Sequence, residues 1–206
     1  MGGQLRDKPT FVINFRLPWG VLLAYFEIPE MYIPFIRAGH DSEFDKKALP
    51  SMGSMSSSER CVARYCQSST EEKDKLLKLI PCVVDGPWVV KSVVGNKPAI
   101  IGTKMPVNYV YEKEEEGKAM YLEMDLDIVA SSAARGILSM VRTYTNVLTM
   151  DLGFVVQWNQ DDELPEQMLA GARLHGLDPL NAPALPVSQE YIMSNLEAAA
   201  HDSDED

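Results

Sequence analysis

Between residues 79 and 102, short runs of β-branched residues alternate with breaks that end regular structure. The breaks are Gly86-Pro87, Gly95-Asn96 and Lys97-Pro98. Runs of this length between turn signals indicate short strands, and tight connections favour antiparallel pairing because parallel neighbours need a crossover of roughly a dozen residues. The stretch therefore predicts a β-sheet scaffold, and it contains no catalytic constellation.

Alternation of apolar and polar residues extends the strand prediction to other parts of the chain. The predicted strands cover residues 10–17, 88–94, 99–101, 107–112, 121–129 and 148–158. Residues 21–28 fit a strand or a short helix equally well, and Pro29 and Pro34 after them favour an extended or turning segment. A charged hairpin loop is expected at residues 114–118.

Capping signals mark the predicted helices. Ser69 and Glu72 form a capping box that predicts a helix over residues 70–80, and a serine at 131 or 132 predicts a second helix over residues 131–146. A third helix is predicted over residues 161–176, with Gly176 at its end. A last short helix is expected after Ser188.

These elements predict an α+β fold with a twisted, mostly antiparallel sheet packed by two or three helices. A curved sheet that grips a helix and encloses a pocket is an extension of this prediction. The chain of 206 residues suits one domain over residues 10–177, after a short lead at residues 1–9. Residues 39–58 have the composition of a mobile loop, and residues 178–206 combine a proline-rich connector, the short helix and an acidic tail.

Composition excludes several classes of function. The net charge is −11, and it remains −7 without the last six residues, so a nucleic-acid partner is not expected. No apolar run reaches the roughly 20 residues that a membrane span requires. The three cysteines form no Cys-x-x-Cys pair and lie far in sequence from the three histidines, which favours reduced thiols in the cytoplasm and predicts no metal site and no cofactor.

An acidic row follows one face of the strand predicted at residues 121–129. Tyr121, Glu123, Asp125 and Asp127 share this face because side chains alternate along a strand. A solvated face, or an ion pair between Asp127 and Arg135, is the favoured interpretation. The functional alternatives are a calcium site or an acid/base pair for catalysis, although the sequence has no Asp-x-Asp-x-Asp-Gly calcium loop.

A polar stripe runs along the helix predicted at residues 131–146. Arg135, Ser139, Arg142 and Asn146 recur at helical spacing, and two guanidinium groups on one face could bind a phosphate head group. The other interpretation, which is the more common one, is that the stripe is simply the solvent-exposed polar face of an amphipathic helix.

Large apolar side chains could form either a filled core or a lipid cavity. Trp88, Tyr109, Tyr111 and Trp158 are the aromatic candidates, together with eleven methionines, whose side chains adapt to varied ligand shapes. Trp88 follows the Gly-Pro turn directly, which favours a role as a core anchor.

Several ordered motifs point to one family. They are LIP and VDGPW within residues 79–88, a Lys-Pro before Ile-Ile-Gly, YLEMDLDIVASSAARG at residues 121–136, and DELPEQMLAGAR at residues 162–173. Over residues 10–177 the chain resembles the C-terminal domain of the plant Enhanced Disease Resistance 2 proteins, a domain of unknown function. The resemblance implies lipid-linked regulation, because in that family the domain often follows membrane-lipid and sterol-binding modules.

The expected function is a non-enzymatic module that binds a lipid or an apolar small molecule, with cytoplasmic location and peripheral membrane association. The ligand contacts expected from the sequence are the aromatic residues Trp88, Tyr109, Tyr111 and Trp158 and the two arginines Arg135 and Arg142. A protein-interaction module without a ligand pocket is the alternative. A third hypothesis, ranked lower, is an enzyme that uses Asp125, Asp127 or Asp151.

Overall fold

The computed structural model describes residues 7–95, 98–157 and 166–182. In chain order, the helices and strands of these residues are β1 (Thr10–Leu17), β2 (Gly20–Glu27), α1 (Ile33–His40), α2 (Ser57–Gln67), α3 (Thr70–Leu76), β3 (Leu77–Asp85), α4 (Trp88–Val94), β4 (Ala99–Ile100), β5 (Val107–Glu112), β6 (Tyr121–Asp127), α5 (Ser132–Arg142), β7 (Thr149–Val156) and β8 (Gln167–His175).

The strands form two four-stranded sheets. Sheet A has the order β2-β1-β6-β5, with β1 and β6 parallel and the other pairs antiparallel. Sheet B has the order β4-β3-β7-β8 and is antiparallel throughout. The α+β class and the mostly antiparallel pairing are confirmed, and the strands divide into two sheets where one was predicted.

One hydrophobic core joins the two sheets. The rings of Phe15 in β1 and Phe154 in β7 lie 5.8 Å apart between centroids, which brings the inner faces of the sheets together. Helix α2 contributes the buried residues Cys61, Val62 and Tyr65 to the same core. A second, smaller cluster lies under α4 and α5. Burial of these faces is the dominant stabilising term for the domain.

Residues 88–94 form the helix α4, so the prediction of a strand there is wrong. Pro87 precedes the helix with a backbone angle suited to a helix start, and Gly95 ends it at a φ of 62°. Val90 and Val94 lie four residues apart and both pack into the second cluster. Helical spacing of the buried valines therefore prevails over their β propensity.

Residues 167–175 form the strand β8, where a helix over residues 161–176 was predicted. The segment contains good helix formers, but β7 pairs with it over its whole length. This tertiary pairing overrides local propensity. Similarly, the helix predicted over residues 70–80 ends at Leu76, because Leu77 begins β3 and pairs with Val156.

Other elements agree with their predictions. The limits of β5 are those predicted, and β1, β6 and β7 lie within the ranges predicted for them. Helix α5 starts directly after Ser131, which was predicted as its cap. Of residues 21–28, for which a strand and a short helix were both left open, residues 21–27 belong to β2. The stretch at residues 39–58 holds the end of α1, two short 3-10 turns and the start of α2. The helix after Ser188 and the acidic tail lie outside the described residues.

Candidate functional site

A cavity of about 310 Å³ lies between sheet A, the helices α1–α3 and the first residues of β8. Most of its wall is apolar. The lining residues are Phe11, Phe26, Glu27, Ile28, Pro29, Met31, Tyr32, Ile36, Val62, Tyr65, Cys66, Lys73, Tyr109, Leu122, Gln167, Met168 and Leu169.

Strand register explains the wall that sheet A provides. Phe26, Phe11 and Leu122 are direct partners on three neighbouring strands, so their side chains form one row on the inner face. Tyr109 belongs to the next inward row, beside Met124. The alternation of each strand therefore lines the cavity with apolar and aromatic groups.

The rim of the cavity is exposed and its interior is buried. Met31 is 38% exposed, whereas Ile36 and Val62 on the inner wall are each 4% exposed. Among the described residues of the rim, Glu27 is the one carboxylate, and its Oε2 atom accepts a hydrogen bond of 2.7 Å from Lys8. A ligand would thus enter between the turn after β2 and the start of β8.

Lys73 is the buried charged residue of the wall. It lies on α3, which begins with the predicted capping box of Ser69 and Glu72. Its exposed fraction is 2%, and its Nζ atom lies 5.1 Å from the ring centroid of Tyr109 and 5.9 Å from that of Tyr65. These distances allow cation-π attraction, which stabilises a buried ammonium in part.

The hydroxyl groups of Tyr65 and Tyr109 lie 2.7 Å apart and form a hydrogen bond. Tyr65 comes from α2 and Tyr109 from β5, so the bond joins the helical layer to sheet A. Burial raises the pKa of both hydroxyls, and both tyrosines therefore stay protonated at neutral pH.

His40 lies next to Lys73 at the end of α1. Its Nε2 atom is 2.8 Å from Lys73 Nζ, and its ring stacks on Tyr111 at 5.9 Å between centroids. Burial and the neighbouring ammonium lower the pKa of His40 to about 4. The neutral imidazole can therefore accept a hydrogen bond from Lys73.

Burial also lowers the pKa of Lys73, to about 8. Cys66 lies nearby, and burial raises the pKa of its thiol to about 12, so the sulfur is protonated. At neutral pH this end of the cavity therefore holds one ammonium group among neutral side chains. We call Lys73, His40, Tyr65, Cys66 and Tyr109 the polar end.

Comparison with known proteins identifies the family. Residues 2–178 match the family model described as Protein ENHANCED DISEASE RESISTANCE 2, C-terminal. The chain belongs to this family. It is also 35% identical over 111 residues to a protein of Arabidopsis thaliana named Protein ENHANCED DISEASE RESISTANCE 2-like, a match over 54% of this chain and 15% of that protein.

The chain thus corresponds to a small part of that relative's length. No solved structure matches it. The recognition made from the sequence motifs is confirmed for this Enhanced Disease Resistance 2 C-terminal domain. The family name indicates neither a reaction nor a ligand.

Of the predicted aromatic contacts, Tyr109 lines the cavity of the domain. Tyr111 lies on the same face of β5, beside Leu122, where its ring stacks on His40, and it is not among the residues that line the cavity. Trp88 is 78% exposed at the start of α4, so neither the cavity role nor the core-anchor role agrees with its position. Trp158 lies outside the described residues.

The predicted ion pair between Asp127 and Arg135 is not formed. Asp127 Oδ1 accepts from the backbone N–H of Ala130, and the guanidinium of Arg135 donates to the carbonyl of Val129. Both side chains therefore stabilise the turn between β6 and α5 by hydrogen bonds to its backbone.

The polar stripe of α5 and the turn after it is exposed and does not line the cavity. Arg135, Ser139, Arg142 and Asn146 are all solvent-exposed. The guanidinium carbon of Arg142 lies 5.7 Å from the centroid of a Trp19 ring, a cation-π distance. The structure therefore places the two arginines away from the polar end.

The acidic row on β6 is half-buried rather than fully solvated. Asn14 Nδ2 donates to Glu123 Oε1 at 2.8 Å. Burial raises the pKa of Glu123, the bond from Asn14 opposes this rise, and the neighbouring Asp125 adds to it. Asp151, on β7, is held by two hydrogen bonds from Arg173, which lower the pKa of its carboxyl. The three aspartates of the enzyme hypothesis thus lie on two different sheets.

Neither Lys73 nor His40 was predicted as a site residue. One signal was available for Lys73: it precedes Leu76 and Leu77 by three and four residues, so it lies on the apolar face of its helix. His40 has no such signal, because it is 33 positions away from Lys73 in sequence.

The described residues contain no group of three His, Cys, Asp or Glu side chains that could hold a metal ion. All three cysteines have free thiols. Within the same residues, no helix has the length and apolar character needed to cross a membrane.

Proposed function

We propose that the domain binds a lipid or another apolar small molecule in the cavity and acts without catalysis in lipid-linked regulation or transport. The observation that carries this proposal is the cavity itself, with its volume of about 310 Å³ and its largely apolar wall. Small-molecule sites are typically concave, about 300–1,000 Å³ in volume, and apolar with a few placed polar groups. The polar end supplies such groups.

The composition of the rim supports an adaptable ligand. Met31 lies at the opening, and its flexible thioether side chain can adjust to different apolar shapes. A ligand that covers this exposed methionine also removes apolar surface from water, which favours binding.

Cytoplasmic location and peripheral membrane association complete the proposal. The three free thiols suit a reducing compartment. The lipid-binding modules that accompany the domain in longer family members agree with a role near membranes.

Native mass spectrometry of protein purified from cells, with lipid extraction of the same sample, tests the proposal. We expect a stoichiometric apolar ligand on the wild-type chain. Met31→Asp places a charge on the rim and should reduce ligand occupancy at least fivefold. Val147→Asp is the matched control, since Val147 is 58% exposed and does not line the cavity.

Absence of any ligand from wild-type preparations of several hosts would contradict the proposal, as would equal occupancy in the two variants. Circular dichroism and thermal melting of both variants establish that their folds are intact.

A protein-interaction module is the second candidate, because apolar groups are exposed around α4. Trp88 is 78% exposed, with Val84 and Val93 at 43% and 39% nearby in sequence. Tryptophan is enriched at interaction hot spots. If this candidate is right, Trp88→Asp abolishes capture of a partner from native extracts, while Met31→Asp leaves the capture unchanged.

A further inference from the structure

The polar end contains a buried ammonium group without an anionic partner. Lys73 is 2% exposed, and within the part of the chain that the structure describes its Nζ atom forms no ion pair with a carboxylate. Burial of a charge without a counter-charge is costly, so such groups are normally paired. The unpaired ammonium faces a cavity that is otherwise apolar.

The neighbouring titratable groups cannot supply the missing charge at neutral pH. His40 from α1 is neutral, and the Cys66 thiol from α2 is protonated because burial raises its pKa to about 12. Tyr65 and Tyr109 keep their protons for the same reason.

Asp74 is the nearest acidic residue in sequence, and its side chain packs beside Gly102. Burial and the neighbouring Glu71 raise the pKa of Asp74. Asp74 also contributes to the raised pKa of Tyr65 and Tyr109, but among the described residues its carboxyl group forms no ion pair with Lys73.

Hydrogen-bond donors outnumber acceptors at the polar end. An ammonium group has three N–H donors, and His40 accepts one of them from Lys73. In the pair of Tyr65 and Tyr109, one hydroxyl donates to the other, which leaves one phenolic hydrogen available. The site thus offers N–H and O–H groups to an acceptor from outside the chain.

We propose that the ligand is an amphipathic monocarboxylate, such as a fatty acid, whose carboxylate binds Lys73 and the free tyrosine hydroxyl while its apolar part fills the cavity. This inference rests on the proposed function and specifies the ligand class of the same site. A carboxylate accepts several hydrogen bonds at once and adds charge-assisted strength to each.

The charge of the wall favours a single negative charge. Among the described lining residues Lys73 is the one cation, and the rim carboxylate of Glu27 is already paired with Lys8. A phosphate monoester carries about −1.5 to −2 at neutral pH and would leave part of its charge unpaired in this cavity. A carboxylate matches the one ammonium.

Isothermal titration calorimetry with decanoate, decanol, decyl phosphate and decylamine tests the inference, because these probes share one alkyl chain. At pH 7 we expect wild-type protein to bind decanoate at least tenfold more tightly than decanol and more tightly than decyl phosphate. Decylamine should bind least, since its charge repels the ammonium.

Two further comparisons assign the preference to Lys73. Lys73→Met should abolish the preference for decanoate over decanol while decanol binding persists, and Lys75→Met, on the exposed side of α3, should leave it unchanged. In wild-type protein, decanoate affinity should fall about tenfold per pH unit above pH 8, because the lysine loses its proton there. Decanol affinity should not follow this profile.

The outcomes separate the two proposals. Equal binding of decanoate and decanol, or a decanoate preference that survives in Lys73→Met, overturns the carboxylate assignment and leaves apolar binding supported. Tighter binding of decyl phosphate overturns it in favour of a phosphate group. Failure of all four probes to bind overturns both proposals. The wild-type pH profile decides the question even if Lys73→Met does not fold.

Discussion

The Nζ atom of Lys73 lies 2.8 Å from the Nε2 atom of His40, so two basic side chains meet at the inner end of the cavity. Burial lowers the pKa of both side chains, to about 4 for His40 and about 8 for Lys73, so at physiological pH the imidazole is neutral and the lysine is mostly charged. The contact therefore makes the stability of the domain depend on pH in both the acidic and the alkaline range.

Acid should destabilise the domain through His40. The pKa is about 4 in the folded state and 6.5 ordinarily, so between these values the unfolded chain binds a proton that the folded chain does not. The free energy of unfolding should fall by on the order of 2 kcal/mol from pH 6.5 to pH 4. Urea denaturation across this range measures the loss.

His40→Gln is the control for that prediction, because the amide oxygen still accepts from Lys73 but does not titrate. The variant should show a smaller loss of stability over the same range. Parallel pH profiles for the wild type and His40→Gln would contradict the assignment to His40.

Replacement of Lys73 by methionine should stabilise the ligand-free domain. The folded pKa of about 8 lies below the ordinary 10.5, so the cost of the buried charge is fully present below pH 8 and disappears as the pH rises toward 10.5. At pH 7 we expect Lys73→Met to raise the free energy of unfolding by about 2–3 kcal/mol. Chemical denaturation at pH 7 and pH 10 measures the difference, which should shrink at the higher pH.

Lys75→Met provides the matched comparison on the same helix, since Lys75 is exposed. Its stability should stay within about 0.5 kcal/mol of wild type. A loss of stability in Lys73→Met would show that the ammonium is better compensated in the folded chain than its neighbours indicate.

Gly39 allows α1 to pack closely on α2. A Cβ atom at this position would collide with the backbone carbonyl oxygen of Cys66, so Gly39→Ala must separate the two helices. We expect a loss of about 1–3 kcal/mol in thermal or chemical unfolding. Gly136→Ala on the exposed face of α5 meets no atom within 4 Å and should stabilise the domain by about 0.5–1 kcal/mol. The same sign of change in both variants would refute this explanation.

Trp88 should be dispensable for stability. It is 78% exposed, so Trp88→Ala removes little buried surface and should change the free energy of unfolding by no more than about 0.5 kcal/mol. Phe154→Ala, at a position 2% exposed between the two sheets, should cost about 3–5 kcal/mol. Denaturant titration of both variants compares them, and a large loss in Trp88→Ala would mean that the tryptophan packs against the domain in solution.

The strands with one buried face could be recognised from the sequence because apolar and polar residues alternate along them. The limits of β5 and the inward position of Tyr109 both follow from that pattern. The same reasoning failed at α4, because Val90 and Val94 suit a strand by propensity and a helix by spacing. It also failed at β8, where pairing with β7 decides the structure of a helix-forming sequence.

The polar end was harder to predict because its members come from four separate elements: α1, α2, α3 and β5. Spacing could have placed Lys73 on the apolar side of α3, but the proximity of His40 depends on how α1 packs against α2 at Gly39. No pattern within either helix contains that information. The size of Trp88 suggested burial, although the start of a short helix leaves its side chain in solvent.

The parallel pairing of β1 with β6 has a consequence for synthesis of the chain. About a hundred residues separate Leu17 from Tyr121. Sheet B likewise cannot form until β7 has been synthesised and can pair with β3. During translation the hairpin of β1 and β2 emerges from the ribosome early and keeps an unpaired edge until residues 121–127 follow. Such non-local pairing slows folding and exposes apolar edges to aggregation, so the nascent chain should depend on chaperones until β7 has emerged.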